Sequence, residues 1–367
     1  MYIRSQFKII LFYSNLLSSI INTFFLIHYK IKNKKVILYF KNIDYFNIGL
    51  INSTYKTISD YLNKKYNYKN SKINNFKNGF NKKKIKINCV DLFNINKFKK
   101  WLDKYLKDRF HIIYDTNKPD YLIFNVFGDD HLKRKYENAV KIAIYTENFI
   151  PNLDYADYAI GHSHIIYLDR YFKHSIFLWK KFEEIKNARK NALNNSMKKK
   201  FCAAVISNDL ISDKFRLEFI KELEKYKIID MGGKYKNNIG GPIKNKIEFL
   251  STYKFSIAME NSNGDGYISE KIVDSFLAGT IPIYYGDYMV DEYINPKSYI
   301  LIKGKKDLKK KIDYIIKIDN DIKLYKRIMK EKVVINDNFI NEINNNLKQF
   351  LINIFFQDKN KAFRANG

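Results

Sequence analysis

Short apolar runs alternate with amphipathic patterns of helical period over most of the chain, which predicts strands that alternate with helices. The apolar runs that we predict as strands are 85–90, 121–127, 139–145, 158–160, 201–206, 255–259 and 281–285. The helical patterns are 96–106, 214–226, 269–278, 305–318, 322–331 and 340–355. Because strands in such an order form parallel sheets covered by helices, the pattern predicts an α/β protein.

The stretch 253–286 reads YKFSIAMENSNGDGYISEKIVDSFLAGTIPIYYG and has the pattern of one βαβ unit. Two apolar pairs spaced i, i+4 share one face of its helix: Ile272 with Phe276, and Val273 with Leu277. Gly279 is a C-terminal stop signal, and Pro282 follows it. We therefore expect this helix to pack against the sheet and to end at Gly279.

The loop at the start of this helix carries the candidate binding residues Asn261, Tyr267, Glu270 and Lys271. In open α/β sheets, ligands bind where a strand ends and the next helix begins, because the helix offers free N–H groups and partial positive charge there. A lysine in the first turn opposes the helix dipole, so Lys271 indicates an anion beside it. The structural alternative, in which Glu270 caps the turn and Lys271 is solvated, stays open.

Arg216 and Glu147 occupy similar positions at strand ends. Arg216 lies in the first turn of the predicted helix 214–226, where its guanidinium could hold two phosphate oxygens and share one pyrophosphate with Lys271. Glu147 follows the predicted strand 139–145, and a carboxylate there can act as a general base. The alternatives are an arginine on a solvated face and a glutamate that merely ends a strand.

Two other sets of residues carry less chemistry. Asp129 and Asp130 also follow a predicted strand, but adjacent side chains in extended backbone point to opposite sides, which disfavours a shared metal ion. Cys89 and Cys202 are too few for a disulfide-rich scaffold or a four-cysteine zinc site. Both lie in apolar runs, which is typical of small buried residues.

Changes in composition divide the chain into segments. A Lys- and Asn-rich stretch precedes the first predicted domain, and a basic, Asn-rich crossover separates the two groups of strands. The segments are an N-terminal extension (1–83), a first α/β domain (84–184), a linker (185–200), a second α/β domain (201–338) and a C-terminal helix with its tail (339–367). A chain of 367 residues is long enough for two domains of ordinary size.

The formal net charge of +28 suggests an anionic partner. However, the basic excess is nearly all lysine, and Asn, Ile, Tyr and Phe are enriched with it, so the charge partly reflects AT-rich codons. A chain that grips phosphates uses more arginine. With 46% hydrophobic residues the chain can also build a sizeable core. We therefore expect a globular protein without a specific nucleic-acid partner.

The N-terminal extension contains an uncharged run, 9–27, with basic residues on both sides. Its length matches one membrane-spanning helix, so a signal anchor is one interpretation. The Ser, Asn and Thr residues within it favour the other interpretation, a surface or core helix. No small-residue cleavage site follows, which argues against a removable signal peptide. Membrane-associated and cytoplasmic localisations both remain open.

At 253–286 the chain resembles the donor-binding signature of glycosyltransferase family 10, the α1,3-fucosyltransferases. Other segments resemble the same family in the same order along the chain. They are IAIYTENFIPNLDYADYAIG at 142–161, KKFCAAVISN at 199–208, Lys214-Phe215-Arg216, and Asn295-Pro296-Lys297-Ser298-Tyr299. The resemblance extends over 84–338 and leaves the N-terminal extension outside.

The resemblance implies a GT-B architecture, in which two Rossmann-like domains face each other across a cleft. It implies GDP-fucose as donor, held by the second domain, and transfer with inversion to a hydroxyl of a glycan, glycoprotein or glycolipid acceptor held by the first. An α1,3 linkage to a GlcNAc- or glucose-type residue would follow. The resemblance implies no required cofactor, although some members respond to a divalent metal.

Each site residue takes a role from its position in the family motifs. Glu147 is implied to be the general base, and Arg216 and Lys271 to hold the pyrophosphate. The residues implied to lie at the donor are Asn261, Tyr267 and Glu270. The family often has a glycine between this Thr and Glu, whereas Thr146 and Glu147 are adjacent here. The direction of the Glu147 side chain therefore need not match that of the family. The resemblance assigns no role to His162, His164 and His174.

Three hypotheses remain open. The first is the fucosyltransferase with GDP-fucose as donor. The second is a GT-B glycosyltransferase that uses another nucleotide sugar. The third is a basic protein without enzymatic activity that binds nucleic acid or a membrane surface.

Overall fold

The computed structural model describes residues 82–164, 170–194, 199–207, 213–262, 264, 266–357, 360 and 362, and the backbone of 25–30 and 35–40. The two N-terminal segments pair as antiparallel strands β1 (Phe25–Lys30) and β2 (Lys35–Phe40). The interpretation of 9–27 as one helix is therefore wrong at its end, because residues 25–27 pair with the β-prone sequence of β2. Residues 9–24 lie outside the described ranges.

Within the described ranges, no helix combines the length and the apolar character that crossing a membrane requires.

The first domain is built on a parallel sheet of order β4-β3-β5-β6-β7-β8. Its strands are β3 (Lys83–Val90), β4 (Phe110–Tyr114), β5 (Tyr121–Phe124), β6 (Val140–Ile144), β7 (Tyr158–Gly161) and β8 (Tyr171–Lys173). Every residue of the inner strands β5 and β7 is buried, which explains their continuous apolar sequences. The carboxyl ends of these parallel strands meet at one edge of the sheet.

Helix α1 (Ile95–Leu106) covers part of this sheet. Asn94 caps the helix, since its side-chain oxygen accepts a hydrogen bond from the Lys97 N–H at 2.9 Å. The buried side chains of α1 repeat at helical spacing and are Phe98, Leu102, Tyr105 and Leu106. The apolar positions that repeat at helical spacing in the sequence of α1 thus form the helix face that packs on the core.

The second domain is built on a parallel sheet of order β10-β9-β11-β12-β13. Its strands are β9 (Lys200–Ala204), β10 (Asp230–Met231), β11 (Tyr253–Met259), β12 (Ile281–Tyr285) and β13 (Ile300–Leu301). The helices after α1 are α2 (Ile185–Asn194), α3 (Lys214–Glu224), α4 (Lys246–Ser251), α5 (Lys271–Leu277), α6 (Leu308–Asn320), α7 (Ile322–Lys330) and α8 (Phe339–Phe356). Strand β11 precedes α5 in the chain and β12 follows it. The two strands pair with each other in parallel, as predicted for 253–286.

The predicted linker, 185–200, is helical over most of its length, because it contains α2. Arg189 of α2 is buried, and its Nε donates a hydrogen bond to the Met329 carbonyl at the end of α7 (2.9 Å). A cation at the C-terminus of a helix satisfies carbonyls that lack a partner within the helix. This contact attaches α2, which connects the two domains, to the second domain.

Helix α8 packs against both domains. Leu347 and Phe355 belong to the core of the first sheet, whereas Phe339 belongs to a core cluster of the second domain. At the end of α8, the Lys83 ammonium donates to the carbonyls of Phe355 (2.9 Å) and Gln357 (3.0 Å). The first strand of the first domain therefore holds the last helix of the chain.

Two strands of the first sheet were not predicted, β4 and β8. Strand β4 is only partly buried after Phe110 and has no continuous apolar run, and β8 is three residues long. Both lie at the edges of the sheet, where one side of the strand has no neighbour and the sequence is less constrained.

Replacement of Gly279 by alanine tests how closely α2 packs on α5. Gly279 has φ +65°, and a Cβ there would lie 2.7 Å from the Ala188 carbonyl oxygen. We expect Gly279→Ala to lower the free energy of unfolding by about 2–4 kcal/mol, from backbone strain and contact together. Gly240→Ala is the control, because φ there is +85° with open space around the Cβ, and it should cost about 1–2 kcal/mol. Equal losses in urea unfolding would contradict the close packing.

Candidate active site

The order of the second sheet reverses between β9 and β11, and the loops after these strands open a crevice at that point. Asp213 connects the two loops, since its backbone N–H donates to the Asn261 carbonyl at 2.7 Å. Its carboxylate accepts from the Phe215 N–H (2.9 Å) and from the Tyr285 hydroxyl (2.8 Å). Asp213 thereby caps α3 and fixes the turn that carries Arg216.

The carboxylate of Glu260 organises the start of α5. Glu260 follows β11 directly and is fully buried. It accepts hydrogen bonds from the Ser269 N–H (2.8 Å), the Ser269 hydroxyl (2.6 Å) and the Lys271 ammonium (2.8 Å). A buried carboxylate is stable only with such partners. The anion expected beside Lys271 is therefore, in this structure, a carboxylate of the protein itself.

The negative charge of Glu260 affects the pKa values of two cations, Arg216 and Lys271. Burial lowers the pKa of Arg216, which is 3% exposed, while the charges of Glu260 and Asp213 oppose that shift. Burial also disfavours the charged form of Lys271, but the carboxylates of Glu260 and Glu270 outweigh it and raise the pKa of Lys271. The positive charge of Arg216 lowers the Lys271 pKa in turn, so the two cations lie near each other.

Asn261 and Glu270 flank these cations. The Asn261 side-chain oxygen is buried and accepts no hydrogen bond from any described residue, so a hydroxyl group bound there would satisfy it. Glu270 does not cap α5 with its side chain, which lies 3.7 Å from the Lys246 ammonium. Burial would raise the pKa of Glu270, but the charges of Lys271 and Lys246 hold it below its usual value.

Glu147 reaches the same place from the first domain. It follows β6 and is half-buried, and its Oε2 accepts a hydrogen bond from the Tyr267 hydroxyl across the cleft at 3.4 Å. Burial raises the pKa of Glu147, and the Lys271 charge and the Tyr267 hydrogen bond only partly oppose this. A carboxylate with a raised pKa is a stronger base than an exposed one, as general-base catalysis requires.

Further contacts hold the two domains together around Glu147 and Tyr267. The Asn148 amide donates to the Ser262 hydroxyl at 2.8 Å, and the Ser175 hydroxyl donates to the Gly266 carbonyl at 3.2 Å. The loop between β11 and α5 therefore lies against the carboxyl edge of the first sheet.

Histidines without a role in the sequence analysis lie at this interface. The ring of His162 packs edge-on against Tyr267, with centroids 5.0 Å apart, and burial lowers its pKa to about 4. The Nε2 of His164 lies 3.2 Å from the Asp287 carboxylate of the second domain, and its Nδ1 lies 2.9 Å from the Lys173 ammonium. His174 is buried, and burial lowers its pKa to about 4 as well.

The structure thus brings together residues that are far apart in sequence. Glu147 and Tyr267 share a hydrogen bond, and the charges of Glu260 and Arg216 both act on the pKa of Lys271. Sequence reasoning missed Glu260 as the organising carboxylate and His162 as the neighbour of Tyr267. Both follow directly on a buried strand, which is the same signal that identified Glu147.

Asp129 and Asp130 do not form a site with these residues. Asp130 is exposed and makes an ion pair with Lys133 at 2.7 Å. Across the described residues, no group of three or more His, Cys, Asp and Glu side chains is arranged to hold a metal ion.

Two facing α/β domains with parallel sheets, and a cleft that gathers a base and two cations, define the GT-B class of glycosyltransferases. The fold agrees with that of a crystal structure of an α1,3-fucosyltransferase with GDP-fucose. That structure is 26% identical, matches with a TM-score of 0.60, and aligns over 75% of this chain and 93% of its own. The GT-B architecture predicted from the resemblance is confirmed.

Two family models match the chain. Residues 195–347 match the C-terminal part of glycosyltransferase family 10 (fucosyltransferase), and residues 87–182 match the N-terminal domain of α-(1,3)-fucosyltransferase FucT. The chain belongs to glycosyltransferase family 10.

Curated relatives match over part of their length. The α-(1,3)-fucosyltransferase FucT of Helicobacter pylori is 30% identical over 246 residues, which is 57% of this chain and 51% of that protein. The human 4-galactosyl-N-acetylglucosaminide 3-α-L-fucosyltransferase 9 is 31% identical over 133 residues, which is 35% of this chain and 36% of that protein. The chain therefore spans about half, or less, of the curated relatives it matches.

Removal of the Glu260 charge tests its role in the cleft. In Glu260→Gln, Lys271 and Arg216 lose their shared counter-ion, so we expect a loss of about 2–4 kcal/mol in the free energy of unfolding. Glu218→Gln is the control, because Glu218 pairs with Lys305 at the surface and should lose less than about 1 kcal/mol. Similar values for both variants in urea unfolding would show that Glu260 does not hold the cations.

Proposed function

We propose that this protein is an inverting fucosyltransferase that transfers fucose from GDP-fucose to a hydroxyl group of a glycan acceptor. One observation carries the proposal: Glu147 of one domain accepts a hydrogen bond across the cleft from Tyr267, in the loop of the other domain that leads to the buried Glu260–Lys271 pair. The match to family 10 and the likeness to an α1,3-fucosyltransferase structure with GDP-fucose support this donor.

The second domain binds the donor. Arg216 and Lys271 contact the diphosphate, and the charge of Arg216 already acts on Lys271 before any ligand binds. Asn261 has an unused acceptor for a donor hydroxyl, and Glu270 and Tyr267 contact the sugar or ribose. Because two buried cations can neutralise the charge that develops on the departing diphosphate, we propose that no cofactor is required. A divalent ion that binds the diphosphate could still accelerate transfer.

Glu147 supplies the base. Its carboxylate takes the proton of the acceptor hydroxyl as that oxygen attacks the anomeric carbon of fucose. The bond from this carbon to the diphosphate oxygen breaks at the same time, and GDP leaves toward Arg216 and Lys271. Base and leaving group lie on opposite sides of the sugar, which inverts the anomeric configuration without a covalent intermediate on the protein.

The acceptor is a glycan, glycoprotein or glycolipid, and we propose an α1,3 linkage to a GlcNAc- or glucose-type residue. The 3-linkage of the H. pylori and human fucosyltransferases supports this linkage, and the human enzyme, a 4-galactosyl-N-acetylglucosaminide 3-α-L-fucosyltransferase, supports such a glycan as a first probe. An acceptor screen with GDP-fucose and linkage analysis of the product tests both. Transfer from GDP-mannose in preference to GDP-fucose would favour another nucleotide sugar.

Glu147→Gln separates binding from transfer. The amide is nearly isosteric but cannot accept the acceptor proton, so we expect transfer to fall by about 10²- to 10⁴-fold while the Kd for GDP-fucose changes little. The control is Glu137→Gln, an exposed carboxylate of the same domain, which should keep full activity. Transfer at the unchanged rate by Glu147→Gln would exclude Glu147 as the base.

Tyr267→Phe changes the pH dependence of transfer. The ionised form of Glu147 is the active one, so the rate falls as the pH drops through its raised pKa, and the acid limb lies above the ordinary glutamate value. Loss of the Tyr267 hydrogen bond raises this pKa further. We expect the acid limb of kcat, measured with saturating donor, to move up by about 0.5 pH unit.

Tyr226→Phe is the control for this shift, since Tyr226 bonds Asp319 far from the cleft. An acid limb that stays in place in Tyr267→Phe, or moves to lower pH, would contradict the contact between Tyr267 and Glu147.

A further inference from the structure

The edge of the first sheet that carries Glu147 also carries a concentration of exposed apolar side chains. Eight of the eleven large apolar side chains that are exposed in the described part of the chain lie between 93 and 155. Six of them follow the ends of β3, β5 and β6, and we call this set the acceptor rim: Phe93, Val126, Phe127, Leu132, Phe149 and Ile150. They are between 39% and 95% exposed, and five of the six have half or more of their surface in water.

Hydrogen bonds join the three loops of the acceptor rim to one another. The Asp91 carboxylate, after β3, accepts from the Asp130 N–H (3.1 Å) and the His131 N–H (3.0 Å), after β5. The Asn125 amide, after β5, donates to the Thr146 hydroxyl, after β6, at 3.0 Å. The three loops therefore form one continuous surface held in a defined shape.

The rest of the loop after β5 is also fixed. The His131 ring stacks on Phe124 with centroids 4.2 Å apart, and its Nδ1 lies 2.7 Å from the Asp91 carboxylate. Asp91, Asn125 and the His131 ring are thus engaged within these loops, while six large apolar side chains stay exposed at the same edge of the sheet. Exposed apolar side chains gathered in one place are typical of a binding site.

The position of Glu147 identifies the occupant. A general base must come within hydrogen-bond distance of the hydroxyl that it deprotonates, so the acceptor has to lie over the loop that carries Glu147. Phe149 and Ile150 are in that same loop, and the loops of Phe127 and Phe93 adjoin it through Asn125 and Asp91. An acceptor larger than one sugar unit would extend onto the acceptor rim.

The chemistry of the rim suits a glycan. Sugar rings present C–H faces that pack on aromatic rings, and hydroxyls that bond to carboxylates and amides. Asp129 and Asp130 lie exposed between Phe127 and Leu132, and their carboxylates are suitable acceptors for sugar hydroxyls.

We infer that the acceptor rim is the binding surface for the acceptor glycan and that Phe127 and Phe149 are its stacking platforms. The inference rests on the proposed fucosyl transfer and assigns its acceptor side to particular residues. It requires an acceptor of two or more sugar units, because a single unit over Glu147 would not reach the loops after β3 and β5.

Steady-state kinetics with the best acceptor of the screen, and hydrolysis of GDP-fucose without acceptor, test the rim. We expect Phe127→Ala and Phe149→Ala each to raise the acceptor KM by about 3- to 15-fold, and to leave hydrolysis and the GDP-fucose KM within about twofold. Phe149→Trp should keep the acceptor KM, whereas Phe149→Leu should not, because the aromatic face is what binds. Tyr314→Ala, an exposed aromatic residue on α6, is the control and should change nothing.

The outcomes are distinct. An unchanged acceptor KM in Phe127→Ala and Phe149→Ala overturns the rim, as does loss of binding to anionic phospholipid vesicles with acceptor kinetics unchanged. Hydrolysis of GDP-fucose by an enzyme that transfers to no glycan of the screen also overturns the rim and leaves the donor site standing. Absence of both hydrolysis and transfer overturns the proposed function instead.

Discussion

The carboxylate of Glu260 is the constraint on which the donor side of the cleft depends. It lies where β11 ends, accepts hydrogen bonds from the N–H and the hydroxyl of Ser269 just before α5, and balances the charge of Lys271. A buried carboxylate without a cation, or a buried ammonium without a carboxylate, would be unstable, so each fixes the other in place. As a result, Lys271 is already held as a cation at the sheet edge in the protein alone, and Arg216 lies within the same field.

The two domains place the cations and Glu147 on opposite sides of the cleft. The cations belong to the second sheet and Glu147 to the first, and the Tyr267 hydroxyl joins the two sides across the cleft. The contact between the His164 Nε2 and the Asp287 carboxylate and the packing of α8 on both domains hold the same relative position from elsewhere. The proposed displacement needs a base and a leaving-group site on opposite sides of the sugar, and two sheets whose carboxyl edges face each other are suited to it.

The large positive charge of the chain has little part in this site. Most lysines of the described ranges lie on the surface, where their ion pairs are solvated and weak, as in the pair of Lys181 with Glu184. The cations of the cleft are different because they are buried: Arg216 is 3% exposed, and the Lys271 side chain is 21% exposed. A charge has a strong electrostatic effect in this protein where burial keeps water away from it. The composition of the chain does not show which lysines and arginines are buried.

The sequence by itself determined the parallel α/β class, most strands and helices of both domains, and the βαβ unit around α5, because hydrophobic period and stop signals such as Gly279 are local properties. Family motifs in the same order identified Glu147, Arg216 and Lys271. Only the tertiary structure decided that Glu260 is the partner of Lys271, that Tyr267 reaches Glu147, and that exposed apolar loops surround that glutamate. These are contacts between segments up to 120 residues apart, and they arise from the order of strands in a sheet and the meeting of two sheets, which no local pattern records.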